Sequence, residues 1–357
     1  MQNELDKKIF AQKLINWYNR HKRDLPWRHT TDPYLIWLSE VILQQTRVKQ
    51  GMPYYLSFSE KYPTVRDLAT ADEREVLRLW QGLGYYARAR NMHATSKIVH
   101  EQHGGIFPDT YAGLLLLKGI GPYTAAAIAS FAFREPVAVL DGNVFRVLSR
   151  LFGIDTDIVS NEAKKIFSGL ANELISHQHP DIYNQAIMEF GAMQCTPVKP
   201  QCMFCQFNDS CIASLTGRQE QLPVKSKKLT VRERFFHYLI FTYKGEVAMK
   251  ERTGKDIWSG LYDFYLIEKD TFIETDKLLQ EFLPAITDHL VVEQKSDVYI
   301  HILTHQRVKA KFWHISVSGK LKEKLAAQLG LRFFSEAETE DLPKPVLINN
   351  YLNESIF

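Results

Sequence analysis

Hydrophobic residues recur at helical spacing through the first 215 residues of this 357-residue chain. Ile9, Phe10, Leu14 and Ile15 form one apolar face, which predicts a first helix over 4–21. The same spacing predicts further helices over 34–49, 70–82, 86–104, 109–117, 123–133, 143–152, 161–175 and 182–193. With short connections between these elements, an all-helical domain is expected.

The pattern changes after Cys211. Residues 218–234 are polar and basic and contain Pro223, as expected of an exposed linker. From 235 onward, strands are predicted at FHYLIFTYK, EVAMKER, GLYDFYLI, DVYIHILTH and VKAKFWHISV, with helices over 275–283 and 320–328. The chain is therefore predicted to form a mainly α domain over 1–217, a linker over 218–234 and an α+β domain over 235–357.

Composition narrows the class of protein. An apolar content of 45% and a charged content of 24% are typical of globular proteins. The net charge of +3 excludes a strongly basic nucleic-acid coat but allows local basic patches. Apolar runs stay shorter than the roughly 20 residues of a membrane span, and the first residues lack the apolar core of a signal peptide, so a cytoplasmic location is expected.

A glycine turn at Lys118–Pro122 separates a leucine run from an alanine-rich segment. Gly119 and Gly121 can adopt backbone angles closed to other residues, and Pro122 suits the first turn of a helix. Free amides and the positive helix end would together form an anion site. Asp141 follows an apolar run shortly afterwards. The alternative is a glycine-broken helix pair with a capping aspartate.

The four cysteines form one cluster, with the spacing Cys195-x6-Cys202-x2-Cys205-x5-Cys211. In a reducing compartment, such clustering favours a metal site over disulfides. Four thiolates this close can surround an iron–sulfur cluster. Tetrahedral zinc is the alternative, although zinc sites usually use two short knuckles.

Glu40 lies at the centre of an apolar helix, with Ile36 and Leu43 on the same face. Loss of solvation raises the pKa of a carboxyl, which would make Glu40 a general acid near neutral pH. The alternative is an ionised carboxylate paired with Arg28 or Arg47.

These motifs resemble a known family. The cysteine spacing, with LKGIGPYTA and VLDGN, resembles the helix-hairpin-helix DNA glycosylases that carry a [4Fe-4S] cluster. The strings WLSEVILQQT, LPWR, GLGYYARARN and NQAIMEFGAMQC are similar to the adenine DNA glycosylases, the MutY family, and the resemblance covers essentially the whole chain. It implies a six-helix barrel module at about 29–137, a module from 1–28 and 138–217 whose four cysteines hold a [4Fe-4S] cluster, and a Nudix-like (MutT-like) C-terminal domain.

The resemblance also implies an activity. The enzyme would hydrolyse the N-glycosidic bond of adenine mispaired with 8-oxoguanine or guanine in double-stranded DNA, as a monomer. Glu40 would protonate the base, and Asp141 would stabilise the oxocarbenium ion. Asn143 would orient both, while Tyr123 and Glu189 complete the pocket. The endonuclease III family carries a Schiff-base lysine where this chain has Tyr123, so a monofunctional enzyme is expected.

Excision requires the base to leave the helix stack. By resemblance, Gln45 is a wedge and Tyr85 an intercalating aromatic, which predicts an exposed Tyr85 and a buried Tyr86; ordinary core packing is the alternative. Arg88 and Arg90 are either contacts to DNA or part of a solvated helix face. The other residues implied to contact DNA or substrate are Trp27, Arg28, Leu43, Lys118, Gly119 and Gly121.

A working Nudix hydrolase needs a glutamate-rich, magnesium-binding helix, and no such run follows the segment 260–264. The domain is therefore expected to recognise the base opposite adenine. Leu303, Thr304 and His305 align with the family's Phe-Ser-His loop, with Leu303 departing from the pattern. The competing interpretations are an oxidised-pyrimidine glycosylase, a non-catalytic DNA-binding protein and a nucleotide hydrolase.

Overall fold

The computed structural model describes residues 7–226, 231–282 and 291–356. Residues 4–6 of the predicted first helix, 227–230 of the predicted linker and the predicted helix end at 283 lie outside these ranges. Contacts group the described chain into two compact units, Met1–Thr70 with Asn91–Lys227 and Ala71–Arg90 with Lys228–Phe357. The domain boundaries drawn from the sequence stay predictions; the contact grouping differs by placing 71–90 in the second unit.

Helices dominate residues 7–226. They are α1 (Lys7–His21), α2 (Pro33–Leu43), α3 (Val48–Lys61), α4 (Val65–Thr70), α5 (Glu73–Leu79), α6 (Ala87–Gln102), α7 (Tyr111–Leu114), α8 (Pro122–Phe133), α9 (Gly142–Phe152), α10 (Asn161–Leu174), α11 (Pro180–Met193) and α12 (Ile212–Leu215). In the first unit, α1 and α9 pack on α11, and α2 packs on α8. No helix of the described residues is long and apolar enough to cross a membrane.

The helix predicted over 34–49 is wrong in its second half. Helix α2 ends at Leu43, and Gln45 has a φ of 54°, a left-handed conformation that no α-helix accommodates. A new helix, α3, begins at Val48. Helix α3 escapes prediction because it contains Gly51 and Pro53, which normally signal a break.

The second unit contains a mixed sheet. Its strands are β1 (Arg232–Tyr243), β2 (Glu246–Glu251), β3 (Tyr262–Asp263), β4 (Tyr265–Lys269), β5 (Val291–Lys295), β6 (Tyr299–Ile302), β7 (Gln306–Ser316) and β8 (Arg332–Phe334). The order along the sheet is β3-β2-β1-β7-β5, while β4 pairs with β1, β6 with β7 and β8 with β2. Strands β1 and β7 are parallel and central, with Phe236 opposite Ala310.

After β4, the helices of the second unit are α13 (Thr275–Phe282), α14 (Gly319–Leu329), α15 (Glu336–Asp341) and α16 (Val346–Ser355). Leu278, Leu279, Leu321 and Leu325 from α13 and α14 join the buried core of the sheet. The sequence predicts α13 and α14 but misses α15, α16, β5 and β8. The missed strands are short, and β5 is largely exposed, so neither shows a sustained alternation of buried and exposed residues.

Candidate active site

Glu40 lies in α2 with only 7% of its surface exposed. Its Oε2 accepts a hydrogen bond of 2.7 Å from the Tyr123 hydroxyl, which the first turn of α8 presents. Burial raises the pKa of Glu40 to about 7. The Tyr123 hydrogen bond and the charge of Arg28 lower that pKa, and the charge of Asp141 raises it. Glu40 is therefore suited to exchange a proton near neutral pH.

Asp141 caps the N-terminus of α9. Its Oδ1 accepts hydrogen bonds of 2.8 Å from the backbone amides of Asn143 and Val144, and its Oδ2 accepts one of 2.7 Å from the Asn143 side chain. Burial raises the pKa of Asp141, while these hydrogen bonds and the charge of Arg146 lower it. The capping role considered from the sequence is present, and it holds the carboxylate in one orientation.

Asn143 is itself held on both sides. Its Nδ2 donates to Asp141, and its Oδ1 accepts a 2.9 Å hydrogen bond from Arg146. The Arg146 guanidinium also donates to the backbone carbonyls of Gly191 and Cys195. A Cβ on Gly191 would lie 2.7 Å from the Asn143 Cβ, so the close approach of α9 and α11 requires glycine there.

Glu189, on α11, is buried between two arginines. Its carboxylate lies 2.6 Å from Arg23 Nη2 and 2.7 Å from Arg28 Nη2. Burial raises the pKa of Glu189, but the hydrogen bonds from Arg23 and Arg28 outweigh it and hold the pKa at about 2. The alternative ion pair of Glu40 with Arg28 is not formed, because Arg28 donates two hydrogen bonds to Glu189 and one to the Arg23 carbonyl.

One cavity of about 460 Å³ in the first unit brings these groups together. Met188 and Gln185 from α11 contribute to its wall. The sequence-predicted residues that line it are Trp27, Arg28, Glu40, Leu43, Tyr123, Asp141, Asn143 and Glu189.

Sequence reasoning missed Arg23 and Arg146, which also line this cavity. Arg146 follows Asn143 by three residues on one helix, and that spacing was the available signal. Arg23 carried no local signal, because its partner Glu189 is 166 residues away in the chain.

The glycine turn lies elsewhere on the same unit. Gly119 has a φ of 79°, and an added Cβ would approach Asn91 Cβ to 3.0 Å. Gly121 is the N-cap of α8 and offers no side chain to its first-turn amides. Lys118 is exposed beside them. This is the backbone arrangement that binds anions at helix N-termini.

The four cysteine side chains line one small cavity with Arg150. Burial raises the pKa of Cys202, Cys205 and Cys211, for Cys205 to about 11, and the charges of neighbouring cysteines raise these pKa values further. Arg150 Nη1 lies 3.4 Å from Cys195 Sγ. Four converging thiols beside a buried cation fit an iron–sulfur cluster. In the described ranges, no group of three or more Cys, His, Asp or Glu side chains is placed to hold a metal ion.

The remaining predicted residues lie in the second unit, except Gln45, which is exposed in the turn after α2. Tyr85 is 43% exposed and Tyr86 is buried, as the sequence suggested. The Tyr85 hydroxyl donates a hydrogen bond to Thr304 Oγ1. Tyr85 and Thr304 line a cavity of about 390 Å³, and Trp258, Leu303 and His305 also line it.

Two family models match the chain. One, described as HhH-GPD superfamily base excision DNA repair protein, matches residues 38–173, and a NUDIX domain model matches 237–354. Among solved structures, a thermostable thymine-DNA glycosylase is similar, with a TM-score of 0.55 and 30% identity over 59% of this chain and 97% of that one. An endonuclease III–DNA complex, at 21% identity and a TM-score of 0.51, supports the fold alone. The fold and the matches define a helix-hairpin-helix DNA glycosylase with a Nudix-like C-terminal domain, which confirms the predicted fold class.

Curated relatives define the family more narrowly. The adenine DNA glycosylase of Buchnera aphidicola (subsp. Acyrthosiphon pisum) is 34% identical over 73% of this chain and 75% of its own length. The adenine DNA glycosylase of Homo sapiens is 44% identical over 60% of this chain and 41% of its own length. This chain belongs to the adenine DNA glycosylase family and is a base-excision-repair enzyme.

Proposed function

We propose that the enzyme hydrolyses the N-glycosidic bond of adenine paired with 8-oxoguanine or guanine in double-stranded DNA. One observation carries the proposal: Glu40 and Asp141 line one cavity in different surroundings. Glu40 is buried beside a neutral donor, Tyr123, whereas Asp141 accepts three hydrogen bonds from amide groups. A proton donor and a stabilising anion require such different surroundings.

The reaction follows from these positions. With a pKa of about 7, Glu40 holds a proton at neutral pH in part of the enzyme molecules and donates it to N7 of adenine. The base then leaves as neutral adenine, and positive charge develops on the sugar. Asp141, held by Asn143, stabilises that charge. Water adds to the anomeric carbon and gives its proton to the Glu40 carboxylate, which leaves an abasic site and restores the acid.

The proposal includes a monofunctional enzyme. Strand cleavage by the Schiff-base route requires an amine that can reach the sugar. Tyr123 occupies the start of α8, and the described residues that line the Glu40 cavity include arginines but no lysine. Hydrolysis without strand cleavage is the reaction that this lining favours.

The proposed contacts to DNA use both units. The turn at Lys118, Gly119 and Gly121 would bind a backbone phosphate through amides at the N-terminus of α8. In the first unit, the exposed Gln45 would enter the base stack beside the extruded adenine, and Trp27, Arg28 and Leu43 would border the pocket that receives it. In the second unit, the exposed Tyr85 would act as an intercalating aromatic.

In the second unit, the loop residues Leu303, Thr304 and His305 would contact the base opposite adenine. The Thr304 hydroxyl already binds the Tyr85 hydroxyl, so the loop and the intercalating aromatic form one polar edge. Leu303 offers less flat surface than the family's phenylalanine, so this edge would rely on the hydroxyl groups. We also propose, from the sequence alone, that the enzyme is a monomer and is located in the cytoplasm.

We also propose that Cys195, Cys202, Cys205 and Cys211 bind a [4Fe-4S] cluster. When bound, the cluster would cross-link the loop that follows α11. Arg150 already holds the start of this loop in place, because it donates hydrogen bonds to the carbonyls of Thr196 and Pro197 and to Cys195 Sγ. Purified protein should be brown and contain iron and sulfide; stoichiometric zinc in their place would reject the cluster.

The test of the proposed activity is excision under single-turnover conditions on four duplexes. Adenine opposite 8-oxoguanine and adenine opposite guanine should be cleaved only after alkali treatment, because the product is an abasic site. Thymine glycol opposite adenine and thymine opposite guanine should remain intact. Release of either pyrimidine without release of adenine would reject the proposal, and cleavage without alkali would reject the monofunctional mechanism.

A further inference from the structure

The turn that carries Tyr85 adopts an unusual backbone conformation. Gly82 and Gly84 have φ values of 100° and 73°, and Tyr85 itself has a φ of 49°. Glycine adopts such angles freely, whereas a bulky residue such as tyrosine adopts them only where its surroundings hold it there. Tyr85 is also 43% exposed, so burial does not fix its ring. Something other than core packing must hold Tyr85 in place.

Arg88, at the start of α6, supplies that support. Its Nη2 donates hydrogen bonds to the carbonyl oxygens of Leu83 at 3.4 Å and Gly84 at 3.2 Å. The same Gly84 oxygen accepts a 3.0 Å hydrogen bond from the Trp80 indole. The two carbonyl groups directly before Tyr85 are therefore fixed by one guanidinium group.

The Arg88 guanidinium also contacts aromatic rings. Its Cζ lies 4.9 Å from the centroid of the Trp80 ring and 5.8 Å from that of the Tyr85 ring, within the range of a cation–π interaction. Burial lowers the pKa of Arg88 to about 10, still well above neutral, so the cation persists. Arg88 therefore contacts the ring of Tyr85 and the backbone that precedes it.

The hydroxyl end of Tyr85 contacts the loop that carries Thr304. Its hydroxyl donates to Thr304 Oγ1, beside Leu303 and His305 in the loop between β6 and β7. We propose that Arg88 is a positioning residue that holds Tyr85 against this loop and thereby sets the preference for the base opposite adenine. This inference rests on the proposed function, in which Tyr85 and Thr304 form the edge that meets that base.

The competing role for Arg88 is a direct phosphate contact, and the two roles predict different outcomes. A phosphate contact contributes to binding of any duplex, and its loss lowers the salt dependence of log Kd by about one. A positioning residue changes the preference between 8-oxoguanine and guanine and leaves the salt dependence unchanged. Arg88 donates two hydrogen bonds to carbonyl groups of the turn that carries Tyr85, which favours a role in positioning Tyr85.

The experiment compares Arg88→Met, Arg88→Lys and the control Arg74→Met in the full chain. Arg74 is exposed on α5 of the same unit. Single-turnover excision of adenine opposite 8-oxoguanine and opposite guanine gives the preference, and binding to an undamaged duplex at several salt concentrations gives the slope. Arg88→Met should lower the preference for 8-oxoguanine over guanine by about tenfold, because loss of a partly desolvated cation–π contact corresponds to about that factor. The slope of log Kd against log salt concentration should stay unchanged.

Arg88→Lys should fall between wild type and Arg88→Met, because lysine keeps a cation near the rings but lacks the guanidinium fork. Arg74→Met should match wild type in both measurements. An unchanged preference in Arg88→Met would reject the inference. So would an equal loss on all duplexes with a slope reduced by about one, which would identify a phosphate contact.

A second measurement does not depend on activity. With 3-fluorotyrosine placed at position 85, the fluorine resonance should shift or broaden in Arg88→Met and stay unchanged in Arg74→Met. An unchanged resonance in Arg88→Met would overturn the inference. If Arg88→Met fails to fold, Arg88→Lys serves for both readouts. If wild type excises no adenine, the proposed function fails, while the resonance still tests whether Arg88 holds Tyr85.

Discussion

Glu40 and Glu189 line the same cavity and are both buried, with 7% and 1% of their surfaces exposed, yet their acidities differ widely. Burial raises the pKa of Glu40 to about 7, and its closest partner is the neutral Tyr123 hydroxyl. Burial also acts on Glu189, but two arginines lower its pKa to about 2. Burial opposes ionisation of both carboxyls, and the two arginine donors, which Glu40 lacks, reverse the direction of the pKa shift at Glu189.

Because their pKa values differ, the two glutamates have different roles in the cavity. A carboxyl with a pKa near 7 can both give and accept a proton at neutral pH, whereas one near 2 stays ionised. Glu189 instead fixes Arg23 and Arg28, and with them the segment before α2. Four predictions test this contrast, beginning with the largest expected effect.

Glu40→Gln removes the only proposed proton donor to the base. Because general acid catalysis contributes about 10²- to 10⁴-fold, the single-turnover rate of adenine release should fall by about a thousandfold. Glutamine retains the size of the side chain and can still accept the Tyr123 hydrogen bond, so duplex binding should change little. Excision at the wild-type rate in this variant would show that Glu40 is not the acid.

The second prediction concerns stability, where the two glutamates should differ in sign at pH 8. Because the pKa of Glu40 is raised from 4.5 to about 7, folding opposes its ionisation, and this cost grows as pH rises from about 4.5 and is complete above about 7. Glu40→Gln should therefore stabilise the enzyme at pH 8 by about 3 kcal/mol, and by little at pH 4.

Glu189→Gln should have the opposite effect. Because the pKa of Glu189 is lowered to about 2, its ionised form contributes stability that is present above pH 4.5 and is lost as pH falls through about 2. At pH 8 the variant should lose about 3 kcal/mol. Melting temperatures at pH 8 give both signs, and a loss of stability in both variants would contradict the contrast.

The third prediction addresses the donor to Glu40. The Tyr123 hydrogen bond lowers the pKa of Glu40, so Tyr123→Phe should raise that pKa. Wild-type excision should decline as pH rises through about 7, and the decline in the variant should occur at higher pH. Single-turnover rates between pH 5 and pH 9 measure this shift. A decline that stays in place or moves to lower pH would exclude Tyr123 as the donor that sets the acidity of Glu40.

The sequence predicts those parts of this cavity that depend on local pattern. Apolar periodicity places Glu40 on a buried helix face, and the position of Asp141 before Gly142 predicts a helix cap. The end of α2 at Leu43 could not be read in the same way. Gln45 adopts its left-handed conformation in the turn between α2 and α3, and glutamine carries no intrinsic preference for it.

The partners of the two glutamates depend on tertiary structure. The Tyr123 hydroxyl reaches Glu40 across 83 residues of sequence, and Arg23 reaches Glu189 across 166. A sequence shows that a buried carboxyl needs a donor but not which donor it finds. Pairing of Glu40 with Arg28 is therefore a reasonable expectation from the sequence, but in the structure Arg28 binds Glu189 together with Arg23.

The last prediction uses those arginines and should give the smallest effect. Arg28 and Arg23 both bind Glu189, but only Arg28 contributes its charge to the pKa of Glu40, and that contribution is weaker than the Tyr123 hydrogen bond. Arg28→Met should therefore move the alkaline decline of excision to higher pH, by less than Tyr123→Phe does. Arg23→Met removes a similar ion pair and should leave the decline in place. If the alkaline decline moves by the same amount in both arginine variants, Glu189 and Glu40 titrate as one coupled system. The two carboxyls could then not be assigned separate roles.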